Sequence, residues 1–447
     1  MASTVLSLLL ALTPLSYAQQ IGSPEARPLL TTHYCTKADG CIAQNTSVVV
    51  DAATHNIHSV TNPKTSCTTA DGTLDATLCP DKETCAQNCI IEGISDYAAN
   101  GVSASGSELT LTMYANGSGN GSNSSLSSLS PRVYLVSEEN FNINATATQA
   151  EDKVLYNSLR LLNQEFTFTV DVSLLPCGMN GALYLSEMAA DGGRSALNPA
   201  GAAYGTGYCD AQCYVTPWIN GEGNVNGYGS CCNEMDIWEA NSRSTGLTPH
   251  ACVYEGGGVY ECEEEEECDS ASENTGVCDK WGCGFNPYAL GEEAYYGRGA
   301  DAFEVDTQEP FTVVTQFVTD DNTTEGSLAA IRRLYIQHGQ IIQNAVVTVD
   351  GAEYNSITDS LCDSTSSWFS SFGGLDGMGK ALDRGMVLAM SIWNDAGGYM
   401  QWMDGLAEGA GPCNATEGAP SVIEQTVPGT KVVFSDLRWG DIGTTYN

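Results

Sequence analysis

Eighteen cysteines, every one of them beyond residue 18, constrain this chain more than any other feature. An even, dense set in a chain routed out of the cytosol forms disulfides, so whatever fold is adopted must bring these residues together in pairs. Spacing alone leaves the connectivity open. The N-terminus supports the oxidising route. Residues 1–18 read as a secretory signal, with an apolar run over 5–12 and the small-x-small cleavage site Ser16-Tyr17-Ala18, although the n-region lacks Lys and Arg. The run is too short to span a bilayer, and no other stretch reaches transmembrane length, so no membrane partner is expected. Zinc ligation is a poor alternative for the cysteines. The chain has 5 histidines and His55-x-x-His58 is the sole close pair, so no metal site is expected.

The apolar pattern has period two. Over residues 165–172, Phe166, Phe168, Val170 and Val172 alternate with Glu165, Thr167, Thr169 and Asp171. Residues 386–393 are apolar on both faces, as an interior strand requires. Further strands are expected at 47–51, 108–114, 132–136, 183–188, 311–318, 332–337 and 431–437, separated by turns rich in Gly, Asn and Ser. Long amphipathic helices are few. This pattern predicts an all-β sandwich. The Ser/Gly-rich stretch 117–130 has strand signals on both sides and reads as a surface loop within a single domain.

Fifty-five acids stand against 17 bases, a formal net charge of −38. Nucleic acids and anionic membranes are therefore excluded as partners. The acidic run 263–267 lies between Cys262 and Cys268 and lacks the ligand spacing of a calcium loop, so it reads as a solvated loop closed by a disulfide. Seven N-x-S/T sequons, at Asn45, Asn116, Asn120, Asn123, Asn144, Asn322 and Asn414, fit a secreted glycoprotein.

One acidic cluster differs from the rest. Glu234-Met235-Asp236-Ile237-Trp238-Glu239 interleaves three carboxylates with apolar residues. On a strand, Glu234 and Asp236 share one face and Met235 and Ile237 the other. A half-buried edge strand would look similar, but Cys231-Cys232 and Trp238 add rigid support that a merely solvated face does not need. Carboxylates held side by side split in proton affinity, and one ionised plus one protonated carboxyl is what glycoside hydrolysis needs. Glu239 has the wrong parity for that face, so a bulge or strand end is expected between it and Glu234.

The stretch from Cys231 through Asn233-Glu234-Met235-Asp236-Ile237-Trp238-Glu239 to Asn241 resembles the signature of glycoside hydrolase family 7, the fungal endoglucanases and cellobiohydrolases. Cys79-Pro80-Asp81-Lys82-Glu83-Thr84-Cys85, Tyr208-Cys209-Asp210-Ala211-Gln212-Cys213 and Ser391-Ile392-Trp393-Asn394-Asp395 match in the family's order, and the likeness runs over residues 29–445. It implies a concanavalin A-like β-jelly roll of two curved antiparallel sheets with disulfide-braced loops. It also implies nine bridges: Cys35–Cys41, Cys67–Cys89, Cys79–Cys85, Cys177–Cys413, Cys209–Cys232, Cys213–Cys231, Cys252–Cys278, Cys262–Cys268 and Cys283–Cys362. By motif position Glu234 is the nucleophile, Glu239 the general acid/base and Asp236 a residue that hydrogen-bonds and tunes Glu234. Trp393, Trp402, Tyr184, Asn180, Asp210, Gln212 and His250 fall on substrate-contacting positions. The implied activity is retaining hydrolysis of cellulose and soluble β-1,4-glucans by a secreted monomer, without cofactor. Residues 19–447 form the catalytic domain, with no linker or cellulose-binding module. A cellobiohydrolase is the main alternative and a non-catalytic lectin a remote one.

Endo action is favoured over exo. Segments 219–230 and 403–412 are short against the loops that roof cellobiohydrolase clefts, Ala289 stands where those enzymes carry a product-side arginine, and Arg438-Trp439-Gly440-Asp441-Ile442-Gly443 looks like the endoglucanase ending. Two departures stand against these: segment 255–278 is longer than in the shortest endoglucanases, and 51–58 lacks the tryptophans many members carry there.

Overall fold

A computed structural model describes residues 19–116, 126–138, 154–268, 276–366 and 368–446. The expected signal, most of the Ser/Gly-rich loop and the sequons at Asn120, Asn123 and Asn144 lie outside these residues. Period-two sequence becomes two large sheets packed face to face. The ten-stranded sheet is centred on Gln164–Asp171, Phe311–Thr319 and Lys431–Asp441, and is antiparallel apart from one parallel pairing of Thr32–Thr36 with Lys431–Asp441. The eight-stranded sheet runs, in spatial order, Leu155–Tyr156, Arg132–Ser137, Met386–Asn394, Met179–Ser186, Glu234–Ala240 and Thr245–His250. Thr46–Val50 and Ser158–Leu159 pair at its side. All its pairings are antiparallel.

Alternation sorts the side chains. Phe166, Phe168 and Val170 enter the inter-sheet core and are wholly buried. On Met386–Asn394, Met386, Leu388, Met390 and Ile392 enter the same core, whereas Val387 and Ala389 join a second cluster on the opposite face. That face also receives Ser391 and Trp393. Trp238 knots the two sheets together. Its ring centroid lies 6.0 Å from Phe168, 5.8 Å from Phe311 and 6.4 Å from Tyr335, all on the ten-stranded sheet, in tilted and edge-on contacts that suit the aromatic quadrupole.

The strand expected at 183–188 instead spans Met179–Ser186. Gly181 interrupts the sequence pattern, yet the strand requires it. A Cβ there would lie 2.6 Å from Leu175 Cδ1 and 3.1 Å from Val432 Cγ2, where the sheets approach too closely for a side chain. The Thr245–His250 edge strand was not among the sequence candidates, because Gly246 and Pro249 mask it. Pro249 is admissible as the sheet ends there.

All nine disulfides implied by the family resemblance form. Most lie outside the inter-sheet core, in loops over the outer face of the eight-stranded sheet. The sandwich itself is held by apolar contact. Phe168→Ala should therefore cost about 3–5 kcal/mol of unfolding free energy. Denaturant titration should show a lower midpoint with an unchanged slope.

Candidate active site

The site is made by a break in alternation on Glu234–Ala240. Met235, Ile237, Trp238 and Ala240 all enter the inter-sheet core, so Ile237 and Trp238 point inward in succession. The register against Thr245–His250 shifts between Asp236 and Glu239, as it does against Met179–Ser186 on the other side. This is the β-bulge that the parity of Glu239 demanded, and it returns Glu239 to the face of Glu234 and Asp236. Arg333 secures it. The guanidinium, buried on the ten-stranded sheet, donates to Thr315 Oγ1 on the neighbouring strand, crosses the core to donate to the Ile237 carbonyl, and lies 5.8 Å from the centre of the Trp238 ring. Sequence reading missed Arg333. Nothing in its neighbourhood marks it, and the carbonyl it serves lies 96 positions away on the other sheet.

The neighbouring segments fix each carboxyl. Cys209–Cys232 and Cys213–Cys231 clamp residues 209–213 against the start of the acidic strand. Held between them, the Ala211 amide donates to Glu234 Oε2 at 3.1 Å. Asp210 caps the same turn by accepting from the Gln212 amide, and Gln212 Nε2 donates to the Lys280 carbonyl at 3.0 Å. His250, cross-strand from Glu234, places Nε2 3.0 Å from Asp236 Oδ2 and holds its other ring nitrogen 2.9 Å from the Asp279 carbonyl. Asn180 donates to Glu239 Oε1 at 2.9 Å and accepts from the Ala240 amide, which fixes its own orientation. Asp404, another residue absent from the sequence candidates, accepts from the Gly178 amide and from Asn241 Nδ2, tying together the ends of the two strands that carry Asn180 and Glu239. Burial pushes Asp404 up to about 6.

Burial together with like charge governs the protonation of the acids. Glu239 is pushed up to about 8, first by burial and then by Asp236, with His250 and the Asn180 amide opposing. Burial also raises Glu234, with Asp236 and Asp210 adding to it, while His250 and the Ala211 N–H favour its charged form. Asp236 and Asp210 are raised as well, chiefly by burial. Four such carboxyls cannot all ionise together. Pushed up to about 8, Glu239 is protonated at neutral pH despite the Asn180 amide that opposes it.

Aromatic rings pave the same face. Trp393, at the end of Met386–Asn394, and Trp402, in the short helix Gln401–Asp404, stack with centroids 6.4 Å apart and planes inclined by 29°. Trp402 is 47% exposed. Tyr184 is buried further along the same face on Met179–Ser186, opposite Ala389, its hydroxyl 3.1 Å from that of Tyr208. Arg132 lies 3.4 Å from the centre of the Tyr208 ring. Adjacent carboxyls, one protonated, next to rings that can stack on sugar faces form a site for cleaving a glycosidic bond. Every residue singled out from the sequence thus lies on or beside this face.

The family model for glycosyl hydrolase family 7 matches residues 20–446. The chain belongs to this family. The endo-beta-1,4-glucanase celB of Emericella nidulans is 68% identical over 447 residues, covering 99% of each chain. The native structure of the Humicola insolens endocellulase EGI superposes with a TM-score of 0.84 at 46% identity, covering 96% of this chain and 100% of that one. An endoglucanase I complexed with cellobiose superposes at 0.83 with 43% identity, covering 95% and 100%. The family 7 jelly roll is therefore the fold of this chain, and the bulged acidic strand lies in its outer, site-bearing face.

A raised carboxyl costs stability. Unfolded Glu239 ionises near 4.5, whereas folded Glu239 stays protonated to about 8. Folding must take up a proton throughout that interval, so stability falls as pH rises through it. Glu239→Gln removes the titration. Its melting temperature should exceed the parent's at pH 7, and the difference should vanish as pH falls below 4.5, as read by calorimetry across pH.

Proposed function

We propose that the chain is a secreted, retaining endo-β-1,4-glucanase that cleaves internal bonds of cellulose and soluble β-1,4-glucans by double displacement. The observation that carries this reading is the bulge that sets Glu234 and Glu239 on one face with different hydrogen-bond partners. Retention uses one carboxylate as nucleophile and one carboxylic acid as proton donor. Glu234, whose proton affinity burial raises while His250 and the Ala211 N–H oppose that rise, attacks as the carboxylate at the anomeric carbon, displaces the departing oxygen and forms a glycosyl ester. Glu239 gives its proton to the departing oxygen, and as a carboxylate it then deprotonates the water that hydrolyses the ester. Asp236, paired with His250, acts on both through its charge. Trp393 and Trp402 offer stacking faces, and Asn180 orients Glu239. The chemistry needs only these carboxyls and water.

Mid-chain attack is supported by the segments that frame the cleft. Residues following Trp402 fold back on themselves, with the Leu406 amide donating to the Cys413 carbonyl and Gly405 bridged to Cys413. Segment 219–230 begins in a tight hairpin of Trp218–Ile219 with Glu222–Gly223. Both are compact, and Trp402 stays open to solvent, as a chain entering sideways requires. The endoglucanase names of the relatives agree. The nine disulfides agree with export.

Glu234→Gln should abolish turnover of carboxymethylcellulose with the fold intact by circular dichroism. Glu239→Gln should lose cellulose hydrolysis yet still release an aryl leaving group that needs no protonation, with the covalent ester on Glu234 accumulating. The parent should lower the viscosity of carboxymethylcellulose early, before much reducing sugar appears. Slow viscosity loss with steady cellobiose release would mark an exo-enzyme, and no reducing sugar at all a lectin.

A further inference from the structure

Two tryptophans lie open to solvent away from the catalytic acids. Trp281 is 64% exposed and Trp368 is 46% exposed. Indole rings left this bare need a reason, since each removes apolar surface from water when covered. They line one groove of about 510 Å³ together with Gly282, Gly284, Thr365 and Ser366. Between the two tryptophans the lining carries only hydrogens, hydroxyls and a methyl group, so the walls are aromatic and the floor is low. The groove is also rigid. Cys283–Cys362 ties its two walls directly, and Cys252–Cys278 braces the Trp281 side. Asp279 Oδ1 accepts from the amides of Trp281 and Gly282, fixing the turn that carries the first indole.

The position of the groove identifies its occupant. Across the eight-stranded sheet, polar and aromatic residues of the site follow one another from strand to strand. Trp393 stands on Met386–Asn394, Tyr184 and Asn180 on Met179–Ser186, the acids on Glu234–Ala240, and His250 on the edge strand Thr245–His250. The groove comes next. The Cys283 amide donates to the Pro249 carbonyl and the Phe285 amide to the Leu247 carbonyl, so residues 281–285 run alongside that edge strand. Gly282 packs so closely on His250 that a Cβ there would lie 2.8 Å from its Nδ1. The carbonyl of Lys280 is held by Gln212 and that of Asp279 by His250, so the Trp281 turn hangs from two residues of the cleft itself.

We propose that Trp281 and Trp368 form a distal glucan subsite, which stacks sugar rings of a β-1,4-linked chain that has crossed the acids and passed His250. It rests on the glucanase reading and extends it to the substrate's length. Each indole offers a flat face to the axial C–H groups of a pyranose ring, the contact already offered by Trp393 and Trp402 in the cleft. Neutral walls suit a neutral polymer in a chain as acidic as this one. Only substrates long enough to span from the acids to the groove engage it. The subsite therefore selects for polymer over short oligosaccharides.

The test compares chain lengths within each enzyme. For the parent, Trp281→Ala, Trp368→Ala and the double variant, kcat/KM is measured on cellotriose and on cello-oligosaccharides up to eight units. The quantity read is the ratio of the long-chain to the cellotriose value, which cancels any loss of active protein. The expected result is a ratio lowered about tenfold by each single substitution and retained in Trp281→Phe and Trp368→Phe. Ratios equal to the parent's would overturn the subsite and leave the indoles to some non-glycan contact. A parent that hydrolyses none of these substrates would instead overturn the glucanase reading itself.

Discussion

The chemistry depends on one hydrogen bond made across the core. A regular strand would bury Glu239 when it exposes Glu234. The bulge at Ile237 and Trp238 prevents this by spending two successive residues on the inside. An unpaired carbonyl left by such a bulge is costly when buried, and Arg333 satisfies it from the opposite sheet. Among the described residues the guanidinium is matched with no carboxylate. It is surrounded by the Trp238 and Tyr335 rings, whose faces favour a cation. One side chain therefore joins the two sheets, pins the bulge and sets which way Glu239 points.

Around that point the protein assembles groups that repel one another. Glu234, Asp236, Glu239 and Asp210 are all buried or nearly so; Asp236 and Asp210 raise the proton affinity of Glu234, Asp210 that of Asp236, and Asp236 that of Glu239. Such a cluster would open if its supports could move. Its supports are of three kinds: two disulfides at the head of the strand, the Asp404 tie at its tail, and the apolar Met235, Ile237, Trp238 and Ala240 beneath it. The free energy for holding like charges together comes from the sandwich, which is why the acids lie on its strands and not on its loops.

Parity made much of this legible in advance. Alternation set Phe166, Phe168 and Val170 on one face, and that face is the core. The odd offset of Glu239 forecast the bulge. The resemblance supplied the disulfide pairing, which spacing could not. Residues whose role comes from distant partners stayed invisible: Arg333 reaches a carbonyl 96 positions away, Asp404 an amide 163 positions away, and Trp281 meets Trp368 only through the fold. Gly181 misled for a related reason, since its value is the absence of a side chain where two sheets meet. Asp210 and Gln212, expected on substrate-contacting positions, owe their hydrogen bonds to the fold: Asp210 accepts from the Gln212 amide, and Gln212 Nε2 reaches the Lys280 carbonyl.

The placement of the nine bridges has a consequence for how this molecule would fail. Most of them tie loops outside the sandwich, while the space between the sheets is filled chiefly by hydrocarbon and aromatic rings, with Cys283–Cys362 the bridge that enters it. A thiol reductant would thus attack recognition and catalysis before it attacked the body of the protein. A compact, largely intact β-sandwich could remain in solution with its working surface frayed, so that bulk spectroscopic signals of folding would be a poor proxy for enzymatic competence.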